Sequence, residues 1–320
     1  MIRTWLALCA ALAAPAAADE IWVTNELDDT VSVIDVKSLE VKATYPTGQR
    51  PRGITFNSDH SLLYICASDS NAVQVMDPAT GKILHDLPSG DDPEQFVLSP
   101  DDRQLWIANE DDALTTVVDT QTRRVVAQIA VGIEPEGMGI SPDGRIQVTT
   151  SETTNMAHWI DTATHEILAN TLVDARPRHA EFSHDGSQLW VSSEIGGTVT
   201  VFDVASRAEI AKIAFSLPNI RPERLQPVGM VFAPDGGKIF VALGPSDHVA
   251  VIDAASFKVV DYILVGRRVW HMELSPDGTQ MFTTNGVSGD VTVFDVASHK
   301  PIKTIKVGRY PWGAAARPLP

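Results

Sequence analysis

The sequence predicts an all-β fold, a seven-bladed β-propeller with four antiparallel strands in each blade. Two short phrases recur along its 320 residues. The first is a pair of apolar residues followed by Asp, and its copies end at Asp35, Asp77, Asp119, Asp161, Asp203, Asp253 and Asp295. The second is a Ser-Pro-Asp-Gly turn or a variant, which recurs at Asp59, Asp101, Asp143, Asp185, Asp235 and Asp277. Both series advance by 42 residues, apart from one shared step of 50, and four short strands in such a unit are typical of propeller blades.

Each unit is predicted to contain four strands separated by polar turns. In residues 50–90 the strand segments are RGITF, SLLYICAS, AVQVMD and KILHDL, and the turns are NSDH, DSN, PATG and PSG. Val, Ile, Thr and aromatic residues favour strands, whereas Asp, Gly, Pro, Ser and Asn favour turns. A helical repeat is excluded because the apolar residues lack a period of 3.6. The repeated Asp residues are expected to stabilise turns by accepting hydrogen bonds from nearby backbone NH groups.

The repeat pattern also predicts how the ring closes. The segment EIWVTN at residues 20–25 corresponds to the second strand of a unit, whereas PWGAAA at residues 311–316 corresponds to an innermost strand. The last blade is therefore expected to combine one C-terminal strand with three N-terminal strands. Such closure leaves no free sheet edge at the seam.

Residues 1–18 are predicted to be a signal peptide, and residues 19–320 a single propeller domain. Arg3 precedes a short apolar run, and a small-residue motif ends at Ala18, as in secretory leaders. The apolar run is too short to span a bilayer, so we expect export without membrane insertion. Cys66 is then the remaining cysteine and is expected to be a buried structural thiol.

The net charge and the cysteine pattern argue against several classes of function. The formal net charge of −16 argues against nucleic acid and anionic membrane surfaces as partners. The sequence has no Cys-x-x-Cys-His motif, which excludes covalent attachment of c-type haem.

The motifs carry a resemblance to a known group. Residues 22–25, Trp-Val-Thr-Asn, and the phrase TVSVID that follows resemble the YVTN repeat of bacterial propellers, with Trp in place of Tyr. Within that superfamily the chain is most similar to the pyrroloquinoline quinone (PQQ)-dependent catabolism-associated β-propeller proteins. The resemblance implies a periplasmic location and a role beside a PQQ-dependent dehydrogenase or a periplasmic cytochrome. It supplies no catalytic motif.

The loops that enter the innermost strands are expected to ring one mouth of the central channel. A Pro in six units, and Val in one, marks this position at Pro51, Pro93, Pro135, Pro177, Pro227, Val269 and Pro311. The arginines beside it are expected to bind the carboxylates of a ligand through paired hydrogen bonds; they are Arg50, Arg52, Arg176, Arg178, Arg267, Arg268 and Arg309. The alternative is salt bridges between neighbouring loops, for example from Arg52 to Asp92.

These seven arginines are called the arc of arginines, and two tryptophans are expected to lie beside it. Trp270 and Trp312 occupy the same repeat position in adjacent units. They are expected either to stack on a flat ligand or to pack beneath the loops.

Two histidines occupy a position that is Gly or Gln in the other units. His179 is followed by Glu181, and His271 by Glu273, and residues two apart in a strand share a face. Three roles are open: a His–Glu hydrogen bond, contact with a ligand, or a metal site. A metal shared by both histidines is not expected, because the fifth blade lies between them.

An acidic sector follows the same loops. Asp91, Asp92, Glu134 and Glu136 are candidate calcium ligands, because calcium prefers oxygen donors. The alternative is an acidic face exposed to solvent.

These observations predict a periplasmic, non-enzymatic propeller that binds a small polycarboxylate such as PQQ, or a quinoprotein partner, at the channel mouth. One alternative is a lactonase-like hydrolase with a channel-mouth site of His, Glu and Arg, often with a metal. Another is a scaffold for protein–protein interaction. The sequence contains no nucleophile-elbow motif that would favour the hydrolase.

Overall fold

The computed structural model describes residues 18–319, and their strands form seven four-stranded antiparallel sheets. This confirms the predicted fold. The predicted signal peptide lies outside the described residues, apart from Ala18. Among the described residues, no helical segment has the length and apolarity that crossing a bilayer requires.

The first four blades follow the repeat units in order. Blade 1 consists of β4 (Pro51–Phe56), β5 (Leu63–Ala67), β6 (Ala72–Asp77) and β7 (Lys82–Pro88). Blade 2 consists of β8 (Pro93–Leu98), β9 (Gln104–Asn109), β10 (Leu114–Asp119) and β11 (Arg124–Ala130). Blade 3 consists of β12 (Pro135–Ile140), β13 (Ile146–Ser151), β14 (Met156–Asp161) and β15 (Ile167–Leu172). Blade 4 consists of β16 (Pro177–Phe182), β17 (Gln188–Ser193), β18 (Thr198–Asp203) and β19 (Glu209–Ala214).

The last three blades include the longer repeat unit, which produces the single step of 50 residues, and the seam of the ring. Blade 5 consists of β20 (Met230–Phe232), β21 (Lys238–Ala242), β22 (His248–Asp253) and β23 (Lys258–Leu264). Blade 6 consists of β24 (Val269–Leu274), β25 (Gln280–Asn285), β26 (Asp290–Asp295) and β27 (Pro301–Lys306). Blade 7 consists of β28 (Pro311–Arg317), β1 (Glu20–Asn25), β2 (Thr30–Asp35) and β3 (Glu40–Pro46). Short 3₁₀ helices occupy Ser68–Ser70 and Pro222–Arg224.

The seam of the ring lies within blade 7. Strand β28 pairs antiparallel with β1, with Ala316 opposite Ile21 and Ala315 opposite Trp22. The predicted closure is therefore confirmed.

Large aromatic side chains fill the space between blades. In six blades the second strand carries an aromatic residue opposite a Val in the third strand, as in the pairs Trp22–Val33 and Trp106–Val117. Blade 3 reverses the pair, with Val148 in the second strand opposite Trp159 in the third. Trp22, Trp106 and Trp159 are all buried. The exchange keeps one aromatic ring at this paired position in each blade, as close packing of the core requires.

The repeated Asp residues form turns as expected. The carboxylate of Asp35 accepts hydrogen bonds from the backbone NH groups of Lys37 and Ser38, at 3.0 and 2.7 Å. Hydrogen bonds from the Ser183 hydroxyl and from Ser187 lower the pKa of Asp185 to about 2. Each carboxylate therefore stays ionised and bonded to its turn in neutral solution.

Deletion of residues 308–320 is expected to open the ring, because it removes β28 and exposes the edge of β1. The protein should then aggregate through its unpaired strand edges. Size-exclusion chromatography and thermal melting measure the effect. The matched control deletes only residues 318–320, beyond β28, and should stay monomeric. A soluble, monomeric 308–320 deletion with an unchanged melting temperature would contradict the closure.

Candidate functional site

The seven innermost strands surround a central channel, and one side chain from each blade forms a layer at its mouth. This mouth layer consists of Arg52, Glu94, Glu136, Arg178, Val228, Trp270 and Trp312. Glu94 and Glu136 are fully buried, and Arg178 is 4% exposed. Charged groups at this depth require charged partners, because an unpaired buried ion is strongly unfavourable.

The first part of the mouth layer is a cluster around the buried Glu94 carboxylate. One guanidinium nitrogen of Arg50 lies 2.6 Å from Glu94, and Arg52 contacts the second oxygen. Arg50 also pairs with Asp92 at 3.0 Å, and Arg52 with Glu26 at 3.1 Å. The suggested salt bridge between Arg52 and Asp92 is therefore wrong. The loop geometry brings Asp92 to Arg50 instead, and Arg52 pairs with Glu26.

The second part is a cluster around the Arg178 guanidinium. Glu136 lies 2.7 Å from it, Glu152 contacts it, and Glu194 lies at 3.7 Å. Burial raises the pKa of Glu136 well above its usual value, although the Arg178 charge opposes this. Glu152 is also buried, but its hydrogen bond with Glu136 and the nearby arginines lower its pKa. The cluster therefore moves the pKa values of these two neighbouring carboxyls in opposite directions.

Two further predicted arginines are also neutralised. Arg268 lies 2.6 Å from Glu194, and its guanidinium sits 4.0 Å from the centre of the Trp270 ring. Arg309 pairs with Asp28 at 2.5 Å.

The predicted arc of arginines is therefore already matched by carboxylates. Arg176 pairs with Glu152 at 2.8 Å and with Glu194 at 3.2 Å, which brings the paired arginines to six. Arg267 is exposed, and among the described residues its guanidinium has no ion pair. Salt bridges between loops, the alternative raised from the sequence, account for the other six.

The acidic sector is arranged differently from the predicted set. Carboxylate oxygens of Asp92, Glu94 and Glu110 lie within 4.8 Å of one another, as do those of Glu110, Glu134 and Glu152. Burial, together with Asp92 and Glu152, raises the pKa of Glu110. Two predicted members face other groups, because the Asn71 amide donates to Asp91 at 3.0 Å and Glu136 faces Arg178. The calcium site stays a prediction.

Beyond the mouth layer the channel widens into a cavity of about 560 Å³. Its walls extend to Ser58, Ser99 and Asp102, in the turns that leave the innermost strands. The cavity is therefore reached from the face of the Ser-Pro-Asp-Gly turns, opposite the mouth layer. Of the predicted ligand-binding residues it is lined by His179, His271 and Trp312.

The two histidines meet inside this cavity. Blade 5 lies between them, as expected, but it does not keep the rings apart, because their centres are only 5.8 Å from each other. Blade 5 places Gly229 between them, and a Cβ there would lie 2.7 Å from Nδ1 of His271. The missing side chain lets His179 reach across the blade.

The predicted His–Glu pairs have different outcomes. His179 Nε2 lies 3.3 Å from the Glu181 carboxylate, as predicted. Glu273 instead accepts a hydrogen bond from the Leu274 backbone NH at 3.2 Å, and His271 packs on Trp312 with ring centres 4.2 Å apart. Burial, reinforced by nearby cations, holds the pKa of His271 well below its usual value. His271 is therefore neutral.

The two tryptophans occupy different environments. Trp312 is 2% exposed and lines the cavity. Trp270 lies beneath the guanidinium of Arg268, with Arg178 at 5.6 Å. The prediction that both rings stack on one ligand stays untested.

Comparison with known families agrees with this geometry. A model described as a YNCE-like beta-propeller matches residues 1–113, and one described as a 7-bladed lactonase beta-propeller matches residues 164–301. This chain is a β-propeller protein. No curated protein gives a significant match to the propeller.

Solved structures show the same fold. The propeller is similar to hydrazine synthase of Kuenenia stuttgartiensis, with a TM-score of 0.79, 19% identity, and coverage of 92% of this chain and 99% of that one. It is similar to a putative 6-phosphogluconolactonase of Bacteroides fragilis, with a TM-score of 0.78, 18% identity, and coverage of 94% and 98%. The dihydro-heme d1 dehydrogenase NirN gives a TM-score of 0.69, 15% identity, and coverage of 96% and 77%.

Sequence reasoning missed two kinds of residue in this propeller. Glu194 follows the second strand of blade 4 and completes the Arg178 cluster. Its position, equivalent to Glu110 and Glu152 in the repeat, was the available signal. Gly229 is the second, because its lack of a side chain lets the two histidines approach each other, and no feature of the repeat marks it.

Arg178→Gln is expected to lower the free energy of unfolding by about 3–5 kcal/mol, because it leaves buried carboxylates without their cation. Arg309→Gln is the matched control, since Arg309 is 71% exposed and such surface pairs contribute about 0–1 kcal/mol. Chemical denaturation at neutral pH measures both. Equal losses in the two variants would show that the Arg178 cluster contributes no more than a surface pair.

Glu273→Gln is expected to raise the melting temperature near pH 8.5 and to leave it unchanged near pH 4. Burial raises the pKa of Glu273 to about 8. Between the unfolded-state pKa and pH 8, the folded protein therefore keeps a proton on Glu273 that the unfolded protein has released. Stability is then lost as pH rises towards 8, and Gln removes this loss. Glu181→Gln controls for removing a carboxyl from the cavity. Parallel stability–pH curves for wild type and Glu273→Gln would contradict the assignment.

Proposed function

We propose that this propeller is a non-enzymatic binding protein that takes a small, flat, uncharged or weakly charged ligand into its central channel. The observation that carries the proposal is the cavity of about 560 Å³, which has the size of small-molecule sites. The mouth layer of ion pairs limits access at one end, so the ligand enters from the face of the Ser-Pro-Asp-Gly turns.

The lining of the cavity favours this ligand class. Met138 and Met230 supply apolar surface, Trp312 supplies an aromatic ring, and His179 and His271 supply hydrogen-bonding groups. Thioether and aromatic side chains suit flat ligands.

The charge of the cavity disfavours a polyanion. Its described lining residues include the carboxyls of Asp102, Glu181 and Glu273 but neither Lys nor Arg. The carboxylates of PQQ would find no cation there, and at the mouth they would compete with Glu94 and Glu194 for arginines that are already paired. PQQ itself is thus the less favoured ligand.

The proposed location is the periplasm, which the leader-like residues 1–18 support. A PQQ-dependent dehydrogenase or a periplasmic cytochrome is the proposed partner class. The resemblance of the repeats to the PQQ-associated group supports it.

Comparing the binding of PQQ with that of its fully methylated ester distinguishes a site in the channel cavity from a site at the mouth layer. The ester keeps the flat ring system and lacks the negative charges, so it is expected to bind wild type more tightly than PQQ. Equilibrium dialysis measures both compounds. Thr55 lines the cavity, so the larger side chain in Thr55→Trp should fill the space and abolish ester binding. The double variant Arg267→Ala with Arg268→Ala should leave ester binding unchanged. Binding of PQQ that survives Thr55→Trp and is lost in the double variant would overturn the channel proposal.

A second candidate is hydrolysis of a lactone. The lactonase family match spans residues 164–301, which include the His179–Glu181 pair. An activity assay with a series of lactones tests it. Turnover by wild type that His179→Gln abolishes, with unchanged thermal melting, would favour the enzyme.

A further inference from the structure

We infer that His179 and His271 together bind one divalent transition-metal ion inside the channel. The inference lies in the same cavity as the proposed ligand but does not depend on ligand binding there. It uses two side chains from blades 4 and 6, which Gly229 of blade 5 allows to meet.

The separation of the two rings fits a shared ion. With metal–nitrogen bonds of about 2.0–2.1 Å, two imidazoles on one ion place their ring centres about 5 to 6.5 Å apart. The centres of His179 and His271 lie 5.8 Å apart, with 58° between the ring planes. The spacing of the two rings therefore lies within the range for one shared ion.

His179 makes the carboxylate contact that the outer nitrogen of a metal-binding histidine usually makes. Its Nε2 lies 3.3 Å from the Glu181 carboxylate, and this contact assigns the proton to Nε2. Nδ1 then carries the lone pair. That atom is buried and has no hydrogen-bond partner among the described residues. A carboxylate that orients the outer nitrogen of a ligating imidazole both fixes the ring and increases its basicity.

His271 also has a nitrogen without a partner. It is 8% exposed, and its Nε2 has no hydrogen-bond partner within the part of the chain that the structure describes. The ring is held between Trp312, at 4.2 Å, and the space above Gly229. Buried polar groups without partners are unfavourable, and a shared ion would satisfy a nitrogen on each ring.

The ligand set indicates the class of metal. Imidazole nitrogen favours copper, nickel, cobalt and zinc, with copper(II) bound most tightly in the order of divalent ions. Calcium prefers oxygen ligands and is not expected here. Two protein ligands leave the remaining positions of the ion open to water or to a molecule in the cavity, as in metal sites that bind substrates. The Glu181 carboxylate, which contacts His179 at 3.3 Å, offsets part of the added positive charge.

Titration with copper(II) and nickel(II) tests the site. Tag-free protein, first dialysed against a chelator, is titrated by calorimetry with each metal alone and with calcium as the negative probe. Wild type is expected to bind one equivalent of copper(II). His179→Gln and His271→Gln should each raise the dissociation constant at least tenfold, and Glu181→Gln about tenfold, because the outer contact orients His179. His85→Gln, on outer strand β7, is the matched control and should bind as wild type does.

Electron paramagnetic resonance of the one-equivalent copper(II) complex supplies an independent readout. The spectrum should show two coupled imidazole nitrogens in wild type and fewer in each channel histidine variant, with thermal melts confirming that the variants are folded. Copper binding that is unchanged in both variants, or a spectrum without imidazole nitrogens, would overturn the inference. Wild type that binds the PQQ ester but no metal would refute the metal site and leave the binding function standing. Metal binding without ester binding would refute the proposed ligand-binding function and leave the metal site standing.

Discussion

The antiparallel pairing of β28 with β1 is the constraint on which the rest of the molecule depends. The pair joins the two ends of the chain, with Ala316 opposite Ile21. Because the ring is closed there, the innermost strands of all seven blades are fixed around one axis. The mouth layer and the cavity both combine side chains from blades distant in sequence, so neither would keep its geometry in an open ring.

The channel separates its charges along its axis. Arginines and glutamates neutralise one another at the mouth, where Arg178 is buried among Glu136, Glu152 and Glu194. Buried ion pairs recover little net free energy after desolvation, although losing one partner is costly. The layer therefore acts chiefly as a rigid closure. The chemically available groups lie beyond it, where His179 and His271 face the cavity.

The sequence predicted the fold far better than the site. Asp35 and its repeats fixed the blade length, and the phase of EIWVTN and PWGAAA indicated the closure. The Arg178 cluster was predictable only in part, because repeat alignment places residues at the mouth but does not pair them. The pair formed by Val148 and Trp159 shows the same limit, since an exchange between strands preserves packing while breaking the sequence pattern. The contact between the histidines depended on the absence of a side chain at Gly229, which no motif marks.

The position that carries the histidines explains why the cavity exists. Blades 1, 3, 5 and 7 have Gly there, and blades 2, 4 and 6 have Gln95, His179 and His271. Two of these side chains reach over the following glycine: Gln95 donates to the Arg178 carbonyl across blade 3 at 3.3 Å, and His179 approaches His271 across blade 5. Glycine and a long side chain cannot alternate around a complete ring of seven blades. Two glycines are therefore neighbours at one place, where Gly313 of blade 7 adjoins Gly53 of blade 1. A Cβ at Gly313 would lie 2.6 Å from the Arg52 carbonyl oxygen, so the backbones are close there and no side chain enters the channel at this level. The two histidines therefore come from blades 4 and 6, and the glycines of the other blades leave the space of the cavity.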